Sequence, residues 1–405
     1  MKKLLSYLIA MMLTLSLAFV AVACDPTDDG DADDVETGFK YELVTEVDDG
    51  EDPFYKITGF GISNEDAEKI ADGDYSSVAS YREITIPTSY TELDGATENY
   101  AVKEIDMSAF ANQPLFTKIT VGSNIKKIGE GAFAGCSNLT ELVLPFVGSK
   151  IDAVNEERMF GYIFGNTATE NSTSVTGKLH QRVDETGTVI SSEEDLTYSV
   201  PTSLKKVTIV NSATNIASIS ECAFYGMTML EEVIIPATVE TIENHAFYGC
   251  TSLIKMELPK TVKEIGDYAF TGNTALYRVE FANDSVLEVI GAHAFEGCSL
   301  LNSSKVQNVV PLDLPVGVKE IGEYAFNGCT SIEEINLSKL TNLQVLEVGV
   351  FANCTNVIKV TVKNGLTYKN GAFNGCTNLE KAGVVLTEGA FDFAGVNKFA
   401  FDFEI

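Results

Sequence analysis

The sequence predicts a repeat solenoid: a parallel β-sheet with one short strand per roughly 23-residue turn, irregular or short helical segments on the other face, and an N-terminal β-hairpin cap. Three observations predict it. One apolar pattern is written many times along the chain, its central Phe returns at a near-constant interval, and each copy ends in a short alternating run suited to a strand. A length of 405 residues would otherwise suggest several separate domains. Repetition makes the body one continuous stack instead.

The chain opens with Met1, Lys2 and Lys3, followed by an uncharged apolar run from Leu4 to Val22 and small residues at Ala21 and Ala23. This order predicts a signal peptide over residues 1–23. Ala21-Val22-Ala23-Cys24 also resembles the bacterial lipobox, although Ala21 stands where that motif usually has Leu. The resemblance implies diacylation of Cys24 and membrane attachment through it. Two acyl chains, at about 0.8 kcal/mol per buried methylene, suffice for stable anchoring. The alternatives are simple secretion after A-x-A cleavage and an uncleaved transmembrane anchor, the latter disfavoured by the small residues where cleavage would occur.

Residues 24–38 hold many Asp, Gly and Thr and almost no apolar side chains, so they are expected to form a disordered stalk. A calcium loop starting at Asp29 would need Gly where Asp34 stands and Glu where Lys40 stands. The formal net charge of −30 and the lack of Lys/Arg clusters argue against nucleic acid as a partner. Residues 39–79 are expected to cap the solenoid, because YELVTEVDDGEDPFYKITGF reads as two alternating strands about an Asp-Gly turn.

The repeats occupy 80–405. IGEGAFAGCSNLTELVLP, ISECAFYGMTMLEEVIIP, IENHAFYGCTSLIKMELP, IGDYAFTGNTALYRVEFA and IGEYAFNGCTSIEEINLS share the pattern I-x-x-x-A-F-x-x-C-x-x-L-x-x-V-x-L-P. Its Phe stands at 110, 133, 224, 247, 270, 295, 326, 351, 373 and 391. Between Phe224 and Phe295 the steps are 23 to 25 residues. This period and the L-x-x-V-x-L core place the turns among leucine-rich repeats. Leu139, Leu142 and Leu144, and Ile242, Phe247, Leu253, Met256 and Leu258, should therefore face the core.

The recurring A-F-x-x-C-T-x-L, the later L-P and the returning V-x-x-I-G closely resemble the BspA-like leucine-rich repeats of bacterial surface proteins, over roughly residues 80 to 391. The resemblance implies an exported, surface-bound binding protein that acts in adhesion or cell–cell contact. It also implies an FGYIFG-containing elaboration. Phe133 and Phe224 are 91 residues apart, and 146–200, polar apart from MFGYIFG, reads as an insertion on one side of the solenoid. A smaller excursion, SLLNSSKVQNVVPLD, follows Phe295.

Cys136, Cys250, Cys298, Cys329, Cys354 and Cys376 share one slot, three residues after the Phe, where Met227 and Asn273 also occur. Side chains stacked a strand spacing apart lie parallel, whereas a disulfide needs converging Cβ atoms near 3.8 Å. Buried free thiols are expected. Cys222, two before its Phe, belongs to no CxxC redox or zinc motif.

The position two before the Phe reads Cys222, His245, Tyr268, His293 and Tyr324. Stacked rings are expected of a solenoid, and His245, Tyr268, His293 and Tyr324 also form a candidate contact strip for an extracellular protein or glycan. On the strand face, Lys118, Glu141, Lys206, Glu232, Lys255, Arg278, Glu334 and Lys359 suggest a ladder that neutralises itself. With three histidines and no nucleotide, nucleophile-elbow or metalloprotease motif, the chain is expected not to be an enzyme and to use no cofactor or metal. Residues 146–200 are the one place where an unfamiliar active site could stand. The expected protein is a monomer, and a structural envelope role without a host ligand is the second reading.

Overall fold

The computed structural model describes residues 37–382, apart from 46, 48–50, 73, 92–98, 170, 184–188, 212–215, 303–311 and 364. The expected leader, Cys24, the stalk up to residue 36, the Asp-Gly turn of the cap and Phe391 lie outside the described residues. No helix among the described residues is long and apolar enough to cross a membrane.

Strands Gly38–Val44 and Phe54–Gly61 pair antiparallel, as the alternating pattern predicts. A helix, Asn64–Ala71, follows, with the Ser63 hydroxyl accepting the Asp66 N–H at its start. Phe54–Gly61 then pairs in parallel with Tyr100–Ile105, which pairs with Lys127–Ile128, so the cap hands its ladder on to the repeats. The cap also closes the apolar end. Phe39 meets Phe110 edge-on at 6.1 Å between ring centres, and Phe60 meets Phe116 at 5.1 Å.

The L-x-x-V-x-L runs form one parallel sheet in chain order: Glu83–Thr85, Lys118–Thr120, Glu141–Leu144, Lys206–Ile209, Glu232–Ile234, Lys255–Leu258 and Arg278–Phe281. Leu312–Asp313, Glu334–Asn336 and Lys359–Thr361 form a second stretch beyond the excursion after Phe295. The V-x-x-I returns add two-residue strands, including Ser218–Ile219, Thr241–Ile242, Glu264–Ile265, Val289–Ile290 and Glu320–Ile321. Here the glycine of I-G permits close approach. A β-carbon on Gly322 would lie 2.4 Å from the Ala292 nitrogen of the preceding turn.

Every apolar residue assigned to the core above is buried, Leu258 being the most exposed of them at 4%. Fully burying side chains of this size contributes roughly 1.5–3 kcal/mol each before entropy is counted. The Phe rings stack down the axis: Phe224–Phe247 and Phe247–Phe270 are both 5.1 Å apart, and Phe270–Phe295 is 5.2 Å.

The segment 146–200 is only partly a lateral insertion. On the sheet side Glu141–Leu144 pairs directly with Lys206–Ile209, so nothing intervenes there. On the Phe side, the 3-10 helix Phe160–Phe164 fills a full position in the spine. Phe164 lies 6.4 Å from Phe133, and Phe160 lies 5.1 Å from Phe224. The Phe133 N–H donates to the Ile163 carbonyl, and the Phe160 N–H to the Ala223 carbonyl, at 2.9 and 2.8 Å. These bonds mirror the Phe224-to-Ala246 bond of a regular turn, 2.7 Å. MFGYIFG is thus a divergent repeat turn, and the part that departs from the repeat is the antiparallel hairpin of Ser172–Val183 and Val189–Pro201.

Candidate functional site: rings held in left-handed backbone

Each regular turn bends twice around its Phe through left-handed backbone. Two residues after the Phe the position is glycine in most turns, as at Gly249 (φ 68°) and Gly272 (φ 75°), and asparagine at Asn112 (φ 58°) and Asn353 (φ 56°). Two residues before it, glycine serves at Gly131, Gly349 and Gly371, with φ between 60° and 68°. The same position in the central turns carries Cys222, His245, Tyr268, His293 and Tyr324, with φ of 55° to 57°. A side chain in this backbone costs about 1–2 kcal/mol that glycine avoids.

Stacking offsets part of that cost. His245 and Tyr268 lie 4.8 Å apart at 11°, Tyr268 and His293 4.5 Å at 4°, and His293 and Tyr324 5.2 Å at 18°. Aromatic pairs contribute about 0.5–1.5 kcal/mol beyond area burial. The four residues of the expected contact strip are therefore one continuous, half-buried ladder. Neighbouring rings cover one another's facing sides, and the far side of Tyr324 lies on Gly349, so the ladder offers mainly edges, hydroxyls and ring nitrogens to its surroundings.

Sequence reasoning missed a second column, immediately after the Phe, although A-F-Y-G occurs in two successive turns. Tyr225 and Tyr248 stack there at 4.7 Å and 9°, and His245 lies 5.7 Å from Tyr248. Burial pushes the Tyr225 hydroxyl up to about 12, with Tyr248 adding to the effect. Further along, this flank turns polar. Glu296 Oε2 meets His293 Nδ1 at 2.5 Å, Glu296 Oε1 accepts from Asn327 Nδ2 at 2.6 Å, and Asn327 Oδ1 accepts from Asn353 Nδ2 at 2.9 Å. His180 lies in the hairpin strand Ser172–Val183, and its side chain is outside the described set.

The family model described as the BspA type leucine rich repeat region matches in six copies, over residues 54–153, 197–310 and 303–392. The chain belongs to this family. Solved structures similar to this BspA-type protein include a leucine-rich repeat protein of T. pallidum, 28% identical over 45% of this chain and 86% of that one, TM-score 0.37. A leucine rich cell surface protein of Faecalibacterium prausnitzii is 20% identical over 85% and 86%, TM-score 0.33. A leucine-rich repeat protein of Eubacterium ventriosum is 17% identical over 90% and 98%, TM-score 0.40. No curated protein matches the chain.

Two other columns of the BspA-type turn are accounted for by the fold. All seven described cysteines are buried, and none forms a disulfide. Those three after the Phe donate Sγ–H to the Phe carbonyl of an earlier turn: Cys136 to Phe110 at 3.2 Å, Cys250 to Phe224 at 3.1 Å and Cys298 to Phe270 at 3.1 Å. Burial pushes each of these thiols up to about 12. On the strand face, Lys118 pairs with Glu141 at 2.9 Å, Lys206 with Glu232 at 3.0 Å and Lys359 with Glu334 at 3.3 Å. Lys255 and Arg278 are like charges in register. Each turns to a glutamate two residues along its own strand, Glu257 and Glu280. That face meets its own charge demand.

Proposed function

We propose that this BspA-type protein is a non-enzymatic adhesion or cell–cell contact protein, exported, held at the membrane through diacylated Cys24, and engaging an extracellular protein with its ring ladder. The observation that carries this reading is the occupancy of the left-handed column. Gly131, Gly349 and Gly371 complete the same bend without a side chain. Rings at His245, Tyr268, His293 and Tyr324 are thus a costly addition that turn geometry does not require, and strained backbone concentrates at functional sites. Their faces are stacked against one another, which removes the platform on which a sugar ring would lie and leaves hydrogen-bonding edges suited to a protein surface.

Leucine-rich repeat proteins generally act as surface or protein-interaction scaffolds, and the family match supports that role here. The test is binding of the chain from residue 25 onward to extracellular-matrix proteins, mucin glycans and bacterial cell-wall material. Saturable binding to one protein, lost in a Tyr268→Gly, His293→Gly variant, is expected. Glycine already serves this column, so that variant keeps the bend. Binding only to bacterial envelope material, or to nothing, favours the structural envelope role. Cys24→Ala is expected to release the exported protein from the membrane fraction, and retention there defeats lipid anchoring.

A further inference from the structure

We propose a divalent-cation site of zinc type at the N-terminal end of the ring ladder, formed by the Glu221 carboxylate, Cys222 Sγ and the His245 imidazole. One donor atom from each of the three lies within 4.8 Å of the other two. A tetrahedral ion with bonds of roughly 2.0–2.3 Å separates its donors by about 3.3–3.8 Å. Closing the triad around an ion therefore takes side-chain shifts on the order of 1 Å. Thiolate and imidazole donors select zinc-like cations over magnesium and calcium, which take oxygen ligands. Three protein ligands leave a fourth position for water or a partner's side chain.

The arrangement arises from stacking and from no linear motif. Cys222 and His245 occupy one column in successive turns, both at φ 56°. The turns are locked together by the Cys222 N–H donating to the Asn244 carbonyl at 3.1 Å and the Phe224 N–H donating to the Ala246 carbonyl at 2.7 Å. Cys222 also stands apart from the other described cysteines, which share the slot three after the Phe. The divergent turn before it supplies Arg158, whose Nη2 meets Glu221 Oε2 at 2.6 Å and orients the carboxylate. Glu243, which accepts the Glu221 N–H at 2.9 Å, and Glu264 line an adjoining open depression that favours a cation. The charges of Arg158 and Lys178 act on the thiol in the opposite sense to that of Glu221. Cys222 is buried while Glu221 and His245 are half-exposed, so an ion would have one face open to solvent. Coordination replaces the Sγ–H bond with a sulfur–metal bond and releases the proton to solvent, with no change of oxidation state.

The experiment is a titration of Co²⁺ into the reduced, metal-free chain from residue 25 onward, followed by Zn²⁺ competition. A near-ultraviolet sulfur-to-cobalt charge-transfer band, displaced by Zn²⁺, is expected. Cys222→Ser should abolish the band, and His245→Tyr should weaken Co²⁺ binding at least ten-fold. Ser108 and Tyr268 already occupy this column, so both variants carry residues the fold accepts, and circular dichroism checks that they do. Cobalt binding without the band places the ion on surface carboxylates and overturns the site. So does a band that survives in Cys222→Ser, or unchanged affinity in His245→Tyr.

Discussion

Tyr324 packs its ring directly onto the backbone of Gly349, one turn along the same column, so closely that a β-carbon at 349 would lie 2.3 Å from Tyr324 Cε1. Gly349 thereby terminates the ladder. Gly349→Ala is expected to displace the Tyr324 ring and lower stability by about 1–3 kcal/mol. Urea unfolding checks this, and Tyr324→Gly in the same chain should recover most of the loss. Additive losses would mean that the two residues do not touch.

The buried thiols predict alkaline instability. Cys136, Cys250 and Cys298 are held protonated by burial up to about 12, against an ordinary value of 9.0. Above pH 9 the unfolded chain has released protons that the folded one still binds, so stability falls as pH rises from 9 towards 12. Each such thiol adds a slope of up to about 1.4 kcal/mol per pH unit. Melting temperatures from pH 8 to 11 should decline progressively, and Ellman's reagent should reach these thiols only on unfolding. A flat profile with prompt labelling would refute their burial.

Charge reversal on the strand face should be mild and sensitive to salt. Lys206→Glu places a carboxylate in register with both Glu141 and Glu232. The pair is partly exposed, so the expected loss in low salt is no more than about 1 kcal/mol, shrinking as salt screens it. Urea midpoints at two salt concentrations measure it.

The divergent turn and the hairpin should separate experimentally. Phe160→Ala leaves a cavity in the spine and is expected to cost about 3–5 kcal/mol. Excising residues 172–201 should leave a cooperatively unfolding solenoid, because the Thr202 N–H already bonds the Asn171 carbonyl at 3.0 Å. Any activity lost on excision alone would belong to the hairpin. Deleting all of 146–200 removes a structural turn and tests something else.

The parallel sheet, the core positions and the burial of the thiols outside disulfides were legible in the amino-acid sequence because each follows from a side chain's place within its own turn. A leucine or cysteine that recurs at one offset meets its own kind in the next turn, whatever the surroundings. The role of MFGYIFG was not legible, since it lacks the A-F signature, and its place in the spine comes from bonds to Phe133 and Ala223 on either side. The second column at Tyr225 and Tyr248 was written in A-F-Y-G but carried no periodic signal beyond those two turns.

The sequence by itself determined which residues share a column, including His245, Tyr268, His293 and Tyr324. Only the tertiary structure decided that this column runs through left-handed backbone, that its rings cover one another's faces, and that Cys222 and Glu221 come to the edge of His245. The physical reason is that periodicity assigns a residue to a column, while backbone handedness and the distance between turns arise from hydrogen bonds that each turn makes with its neighbour.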